Sequence, residues 1–146
     1  MLTRMIYVST AVGPITTAVT GTILRSAKAH NAAHGITGVL CQGQGTYMQV
    51  LEGERNTLDE LYARIQADKR HHNIVLRQIE TITRRRYAKW SMAHVDLTQA
   101  HAHLTKMEQM AQGLLNFDPK TNDGEQLLEK IDALLATGIV MQAPVV

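Results

Sequence analysis

Short apolar runs alternate with longer stretches in which apolar residues return every third or fourth position. Leu2 to Ser9 is brief, rich in residues that favour strands, and stops before Gly13-Pro14, which predicts a first strand. Thr16 or Thr17 can cap a following helix in which Ile23, Leu24, Ala27 and Asn31 recur along one side. Gly35 supplies the left-handed position that commonly ends a helix. Ile36 to Cys41 and Thr46 to Leu51 are two more apolar runs, and the glycines of Gln42-Gly43-Gln44-Gly45 between them suit a hairpin turn. After Glu52-Gly53, Leu58, Leu61, Tyr62 and Ile65 predict a second amphipathic helix over Asn56 to Ala67, with Asn56 as its cap. Ile74 to Ile82 and Trp90 to Val95 read as the fourth and fifth strands.

The order β-α-β-β-α-β with an added strand predicts an α+β, ferredoxin-like fold whose two helices share one sheet face. The opposite face also needs cover. Leu104, Met107, Met110 and Leu114 form one apolar stripe in the tail, and Leu127, Leu128, Ile131, Leu134 and Leu135 form another, with a turn over Asn116 to Gly124. The expected division is a domain over residues 1–96 and a C-terminal helical hairpin over 97–146 that packs on the free face.

Composition narrows the classes. The chain has 146 residues, 45% of them hydrophobic, which suits one compact core and leaves no room for a second catalytic domain. A net charge of +2 with both signs interspersed gives no field that recruits nucleic acid or an anionic membrane. Arg84-Arg85-Arg86 is the one basic run, too short for a phosphate-binding patch, and reads as a solvated turn before a strand. The single cysteine, Cys41, excludes an intramolecular disulfide framework. No run approaches the ~18 apolar residues of a membrane span, and the N-terminus lacks a signal-peptide core, so the expected location is cytoplasmic.

Few residues suggest chemistry. Gln49 is an uncharged amide inside an apolar strand, and a buried amide left unpaired costs about 1–3 kcal/mol, so it requires a partner. Alternation along a strand puts Tyr7 on a face with Met5, Gln49 with Tyr47 and Leu51, and Trp90 with Met92. Singly, each has an ordinary reading: Tyr7 a core tyrosine, Trp90 a packing anchor, Met92 a gap filler, Asn31 a helix-ending asparagine. His30 and His34 have the spacing of two metal ligands on a helix, yet no third ligand accompanies them, so no metal is expected. Gly43-Gln44-Gly45 joins two strands rather than opening a helix, which removes it as a dinucleotide-binding loop. No catalytic nucleophile or carboxylate pair stands out.

Four separated segments, taken together, strongly resemble the BLUF family of blue-light sensors using FAD. They are Ile6-Tyr7-Val8-Ser9, His30 to Leu40 (His-Asn-Ala-Ala-His-Gly-Ile-Thr-Gly-Val-Leu), Gln49-Val50-Leu51-Glu52-Gly53 and Trp90-Ser91-Met92. The resemblance runs in order from about Leu2 to Val95. It implies a noncovalent flavin wedged between the two helices over the sheet. Tyr7 would then be the photoactive tyrosine, giving an electron and a proton to the excited flavin, and Gln49 the amide relaying between that hydroxyl and the ring. Asn31 would bond the ring's carbonyl and imide edge, with Ile23 and Ile65 flanking its faces. Arg64, Asp68, Arg70 and His71 match a less specific region near the ring edge, ribityl chain or phosphates. Trp90 and Met92 match the fifth-strand pair thought to respond to light. Ala32, Met48 and Ala93 depart from the commoner pattern without touching Tyr7, Gln49 or Asn31.

The expectation is therefore a photoreceptor without an attached enzyme, binding FAD, with FMN and riboflavin as alternatives that share the ring. Its output would pass to a downstream protein partner or through a homo-oligomer, a dimer or larger, and not to nucleic acid or membrane. Two rival readings are a flavin-dependent oxidoreductase, which would need substrate access and an acid, base or nicotinamide site, and a flavin-free interaction module. At 4% aromatic residues the chain is poor in the stacking platforms an RNA-binding module would use.

Overall fold

A computed structural model of the protein describes residues 1–43, 45–96 and 124–136. Five strands form one mixed sheet: β1 (Leu2–Ala11), β2 (Thr37–Gly43), β3 (Thr46–Glu54), β4 (His71–Thr81) and β5 (Ala93–Asp96), in the spatial order β4-β1-β3-β2-β5. All neighbours run antiparallel except β2 and β5, which are parallel. Helix α1 (Thr17–His34) joins β1 to β2, and α2 (Arg55–Ala67) joins β3 to β4. A third helix, α3 (Gly124–Ala136), follows the sheet. The α+β, ferredoxin-like order expected from the sequence is present. The first tail helix expected around Leu104 to Leu114 and its turn lie outside the described residues.

The sheet separates two cores, because successive side chains on each strand point to opposite faces. One face carries Met5, Tyr7, Leu40, Tyr47 and Leu51 against Leu24 of α1 and Leu58 of α2. The other carries Ile6, Val8, Val39, Cys41, Met48 and Val50 against Leu127, Leu128 and Ile131 of α3. Thus α3 covers the face the amphipathic tail was expected to cover. No helix among the described residues is long and apolar enough to cross a membrane.

Local chemistry explains where the elements begin and end. Thr16 caps α1, its hydroxyl accepting from the Val19 N–H at 3.1 Å, and Gly35 ends the helix at φ 66°, where a side chain would strain the backbone. Helix α2 corrects the expected cap at Asn56. It begins at Arg55 after an extended Glu54 that makes no side-chain capping bond, since β3 runs straight into it.

The basic run is not simply solvated. Arg84 is exposed, whereas Arg85 ties the C-terminal end of α1 to the sheet, donating to Gly35 O at 2.6 Å, Glu52 O at 2.9 Å and Thr37 Oγ1 at 3.0 Å. Arg86 pairs with Asp132 of α3 at 2.8 Å. Below them the fully buried Glu52 carboxylate accepts from Arg4 Nε at 3.0 Å and from the Arg86 and Tyr87 N–H groups at 3.0 and 2.7 Å. A buried charge is tolerable only when paired and hydrogen-bonded in this way.

The fifth strand is shorter than expected and displaced, Ala93–Asp96 rather than Trp90–Val95. Residues 90–92 are therefore not strand, and simple alternation fails there. Met92 is buried with the helix-side core, while Trp90 is half-buried and packs against the α3-side core. The expectation that these two side chains share a face is corrected accordingly.

Candidate functional site

Between α1 and α2, over the sheet, lies a cleft lined by residues from β1, α1, β2, β3, α2 and the start of β4. Register builds its floor. Tyr7 on β1 and Gln49 on β3 are opposite one another, and both point to the helix side. Tyr7 donates its hydroxyl hydrogen to Gln49 Oε1. Gln49 in turn donates through Nε2 to the Met92 sulfur at 3.2 Å. An amide offers two N–H donors and two oxygen lone pairs, so one of each remains for a ligand. Burial, with Asp68 as a smaller cause, pushes the Tyr7 phenol well above the ordinary tyrosine value. It is a proton-bearing group throughout the ordinary pH range.

Asn31, on the last turns of α1, is buried and donates from Nδ2 to Ser91 O at 2.8 Å. Its Oδ1 is shut from solvent and makes no well-formed hydrogen bond among the described residues. A buried acceptor without a well-formed bond costs about 1–3 kcal/mol and is of the kind that a ligand N–H would satisfy. Ile23 and Ala27 of α1, Leu61 and Ile65 of α2 and Leu40 of β2 supply apolar walls and floor. A flat ring with an imide N–H along one edge fits this set of donors, acceptors and apolar surfaces.

The charged lining gathers where α2 gives way to β4. Asp68 and Arg70 pair at 2.5 Å, and the Arg70 side chain holds the Asp68 carboxyl below its usual value while being raised by it in return. Arg64 lines the cleft from an exposed position on α2. His71 is fixed at both ring nitrogens. Nε2 lies 2.7 Å from Ile65 O and must donate, so in the neutral ring Nδ1 accepts from the Ser9 hydroxyl, also at 2.7 Å.

Tyr7, Ile23, Asn31, Gln49, Arg64, Ile65, Asp68, Arg70 and His71, the residues that the sequence singled out for a ligand, all line this one cleft. Met92 lies beneath it, reached through Gln49, whereas Trp90 packs toward the other face. Ser26, Ala27, His30, Leu40, Tyr47 and Leu61 complete the lining and were not singled out for it. Helical spacing places Ala27 and His30 four and seven residues after Ile23, and strand parity places Tyr47 with Gln49, so the signal for these was present. His30 and His34 stack face to face at 4.1 Å rather than converge on an ion, and no group of three metal-ligating side chains occurs among the described residues. Burial, and then the Arg64 charge, lower the His30 pKa.

Residues 2–93 match the family model for sensors of blue light using FAD. Among curated proteins, the photoactivated adenylate cyclase subunit beta of Euglena longa is 35% identical over 92 residues, 62% of this chain but 11% of that protein. The chain thus spans about a tenth of the curated relatives it matches first. Among solved structures, the dark state of the BLUF protein BlrB matches with a TM-score of 0.73 at 28% identity, covering 94% of this chain and 96% of that one. BlrP1 of Klebsiella pneumoniae, in complex with calcium and cyclic diGMP, matches with a TM-score of 0.69 at 26% identity, over 91% of this chain and 34% of that one.

Proposed function

The chain belongs to the BLUF family of blue-light sensors, and on that premise we propose that it holds FAD in the cleft between α1 and α2 and reports light through the chain Tyr7, Gln49, Met92. The observation that carries this reading is the pair of bonds on the Gln49 amide, oxygen toward Tyr7 and nitrogen toward Met92. Asn31 and Gln49 would hold the polar edge of the ring, Ile23 and Ile65 its faces, and Arg64, Asp68, Arg70 and His71 the surrounding polar groups. FMN and riboflavin share the ring and so satisfy the same contacts. When bound, the flavin supplies visible absorption and, once excited, an electron acceptor.

The chain's own groups do the rest. Tyr7 is oxidisable and its proton already lies on the bond to Gln49 Oε1, so an electron leaving Tyr7 is accompanied by that proton moving toward the amide. Rotation or tautomerisation of Gln49 exchanges its donor and acceptor ends. The N–H to the Met92 sulfur is then lost. Met92 immediately precedes β5, which pairs with β2, so the change at Gln49 becomes a change in how the fifth strand seats on the sheet edge. Such an element, with two arrangements of similar energy, is what a signal requires.

The matched relatives' names join light sensing to cyclase activity, and this chain covers only a small part of them. We assign it the sensing step, with output through contacts to a protein partner or a second copy. Purified in the dark, the protein is expected to show a flavin spectrum that shifts slightly red under blue light and reverts in the dark. Tyr7→Phe and Gln49→Leu should each keep the flavin and lose the reversible shift. Colourless protein, or a flavin that only bleaches, refutes the photoreceptor; a normal shift in either variant refutes the relay.

A further inference from the structure

Tyr47 is a cleft residue for which the mechanism has no use. It lines the cleft and is 3% exposed, yet its hydroxyl is shut from solvent with no partner among the described residues. Phenylalanine would fill the same space without that cost. Its position is set by register: on β3, two residues before Gln49 and on the same face, it stands opposite Ser9 of β1 and Gln42 of β2. Ser9 bonds His71, whose ring lies edge-on to Tyr47 with centroids 6.5 Å apart, and Arg70 with its partner Asp68 directly precedes His71. Asn31, on the last turns of α1, is bonded instead to Ser91, the neighbour of Met92. The Tyr47 phenol therefore shares its part of the cleft with a guanidinium and a carboxylate.

We propose that the Tyr47 hydroxyl is a ligand contact, hydrogen-bonding a hydroxyl oxygen of the chain that the flavin ring carries. The inference rests on the flavin reading above and adds a specificity residue to it. The chain, rather than the ring, is assigned to Tyr47 because a charged pair beside a phenol suits oxygen atoms and not an aromatic edge. Bound ligand relieves the unpaired hydroxyl, so the same group weakens the empty protein and tightens the complex.

The test is flavin-free protein titrated with riboflavin and with lumiflavin, which has the ring and lacks the chain, following quenching of flavin fluorescence. Tyr47→Phe should weaken riboflavin binding about five- to tenfold, the worth of one ordinary hydrogen bond. It should leave lumiflavin binding unchanged and raise the melting temperature of the flavin-free protein. A purely packing role would move stability and both affinities together. Unchanged riboflavin affinity, or an equal loss with lumiflavin, overturns the proposal. Wild-type protein that binds neither flavin overturns the photoreceptor reading as well; wild-type protein that binds and shifts red beside an unaltered Tyr47→Phe variant overturns this inference alone.

Discussion

Two tyrosines two positions out of register show how one side chain's surroundings decide its use. Tyr7 meets an amide on the neighbouring strand, and the Tyr47 hydroxyl has no hydrogen-bond partner among the described residues. Strand parity allowed a meeting of Tyr7 with Gln49 without requiring it, and the resemblance supplied the third member. The unpaired state of Tyr47 was not readable, because a hydroxyl's partners come from elements distant in the chain. Cys41 offers a pH test of the opposite core. Burial pushes its thiol up to about 12 from the usual 9.0. A group whose folded pKa is raised contributes fully below the unfolded value and loses that contribution as pH rises through the folded one. Stability should therefore fall between about pH 9 and 12, by up to about 1.4 kcal/mol per pH unit for this group. Urea unfolding across that range should show a shallower decline in Cys41→Ala, the remainder coming from the buried tyrosines.

The elements owe their placement to a few polar ties as much as to their apolar faces. Arg85 holds the end of α1, the segment that carries Asn31, by three hydrogen bonds to the backbone or side chains of residues 35, 37 and 52. Arg85→Ala leaves those acceptors unpaired and should destabilise the protein by about 1–3 kcal/mol in denaturant unfolding. Flavin affinity should fall with it, because α1 forms one wall of the cleft. Lysine should restore only part of the loss, since an ammonium on a flexible stem lacks the planar fork that reaches several acceptors at once. Periodicity found both flanking helices and four strands nearly at their observed bounds. It misplaced the fifth because an aromatic and a methionine separated by one residue look like alternation, although the backbone at 90–92 is held by the Gly38 N–H to Trp90 O bond and by Asn31 instead of by a ladder. The ties through Arg85 and Glu52 were hidden for the same reason as the Tyr47 hydroxyl: they join segments some thirty to fifty residues apart.

Across the described residues, the sheet separates a core that faces the cleft from one covered by α3. The Arg86–Asp132 pair between sheet loop and α3 is partly exposed, and pairs of that kind contribute about 0–1 kcal/mol. Ile131, fully buried against the sheet, carries far more. Ile131→Ala should cost about 2–5 kcal/mol in denaturant unfolding while leaving flavin affinity unchanged at temperatures where the variant is folded. Loss of flavin affinity in folded protein would show that the two faces are not independent.

The central place of β1 has a consequence for how the molecule is made. Its ladder partners are β3 on one side and β4 on the other, both later in the chain, so β1 must wait for residues 46–54 and then 71–81 before both its edges are paired. At a synthesis rate of about 5–20 residues per second, that leaves an apolar strand with an open edge for several seconds. Loop closure over such spans also slows folding relative to local pairing. His71, the first residue of β4, joins the cleft only with this last pairing. With the flavin held in this cleft as proposed, chromophore capture is a late event in the life of each new chain, and the nascent protein is blind until β4 arrives.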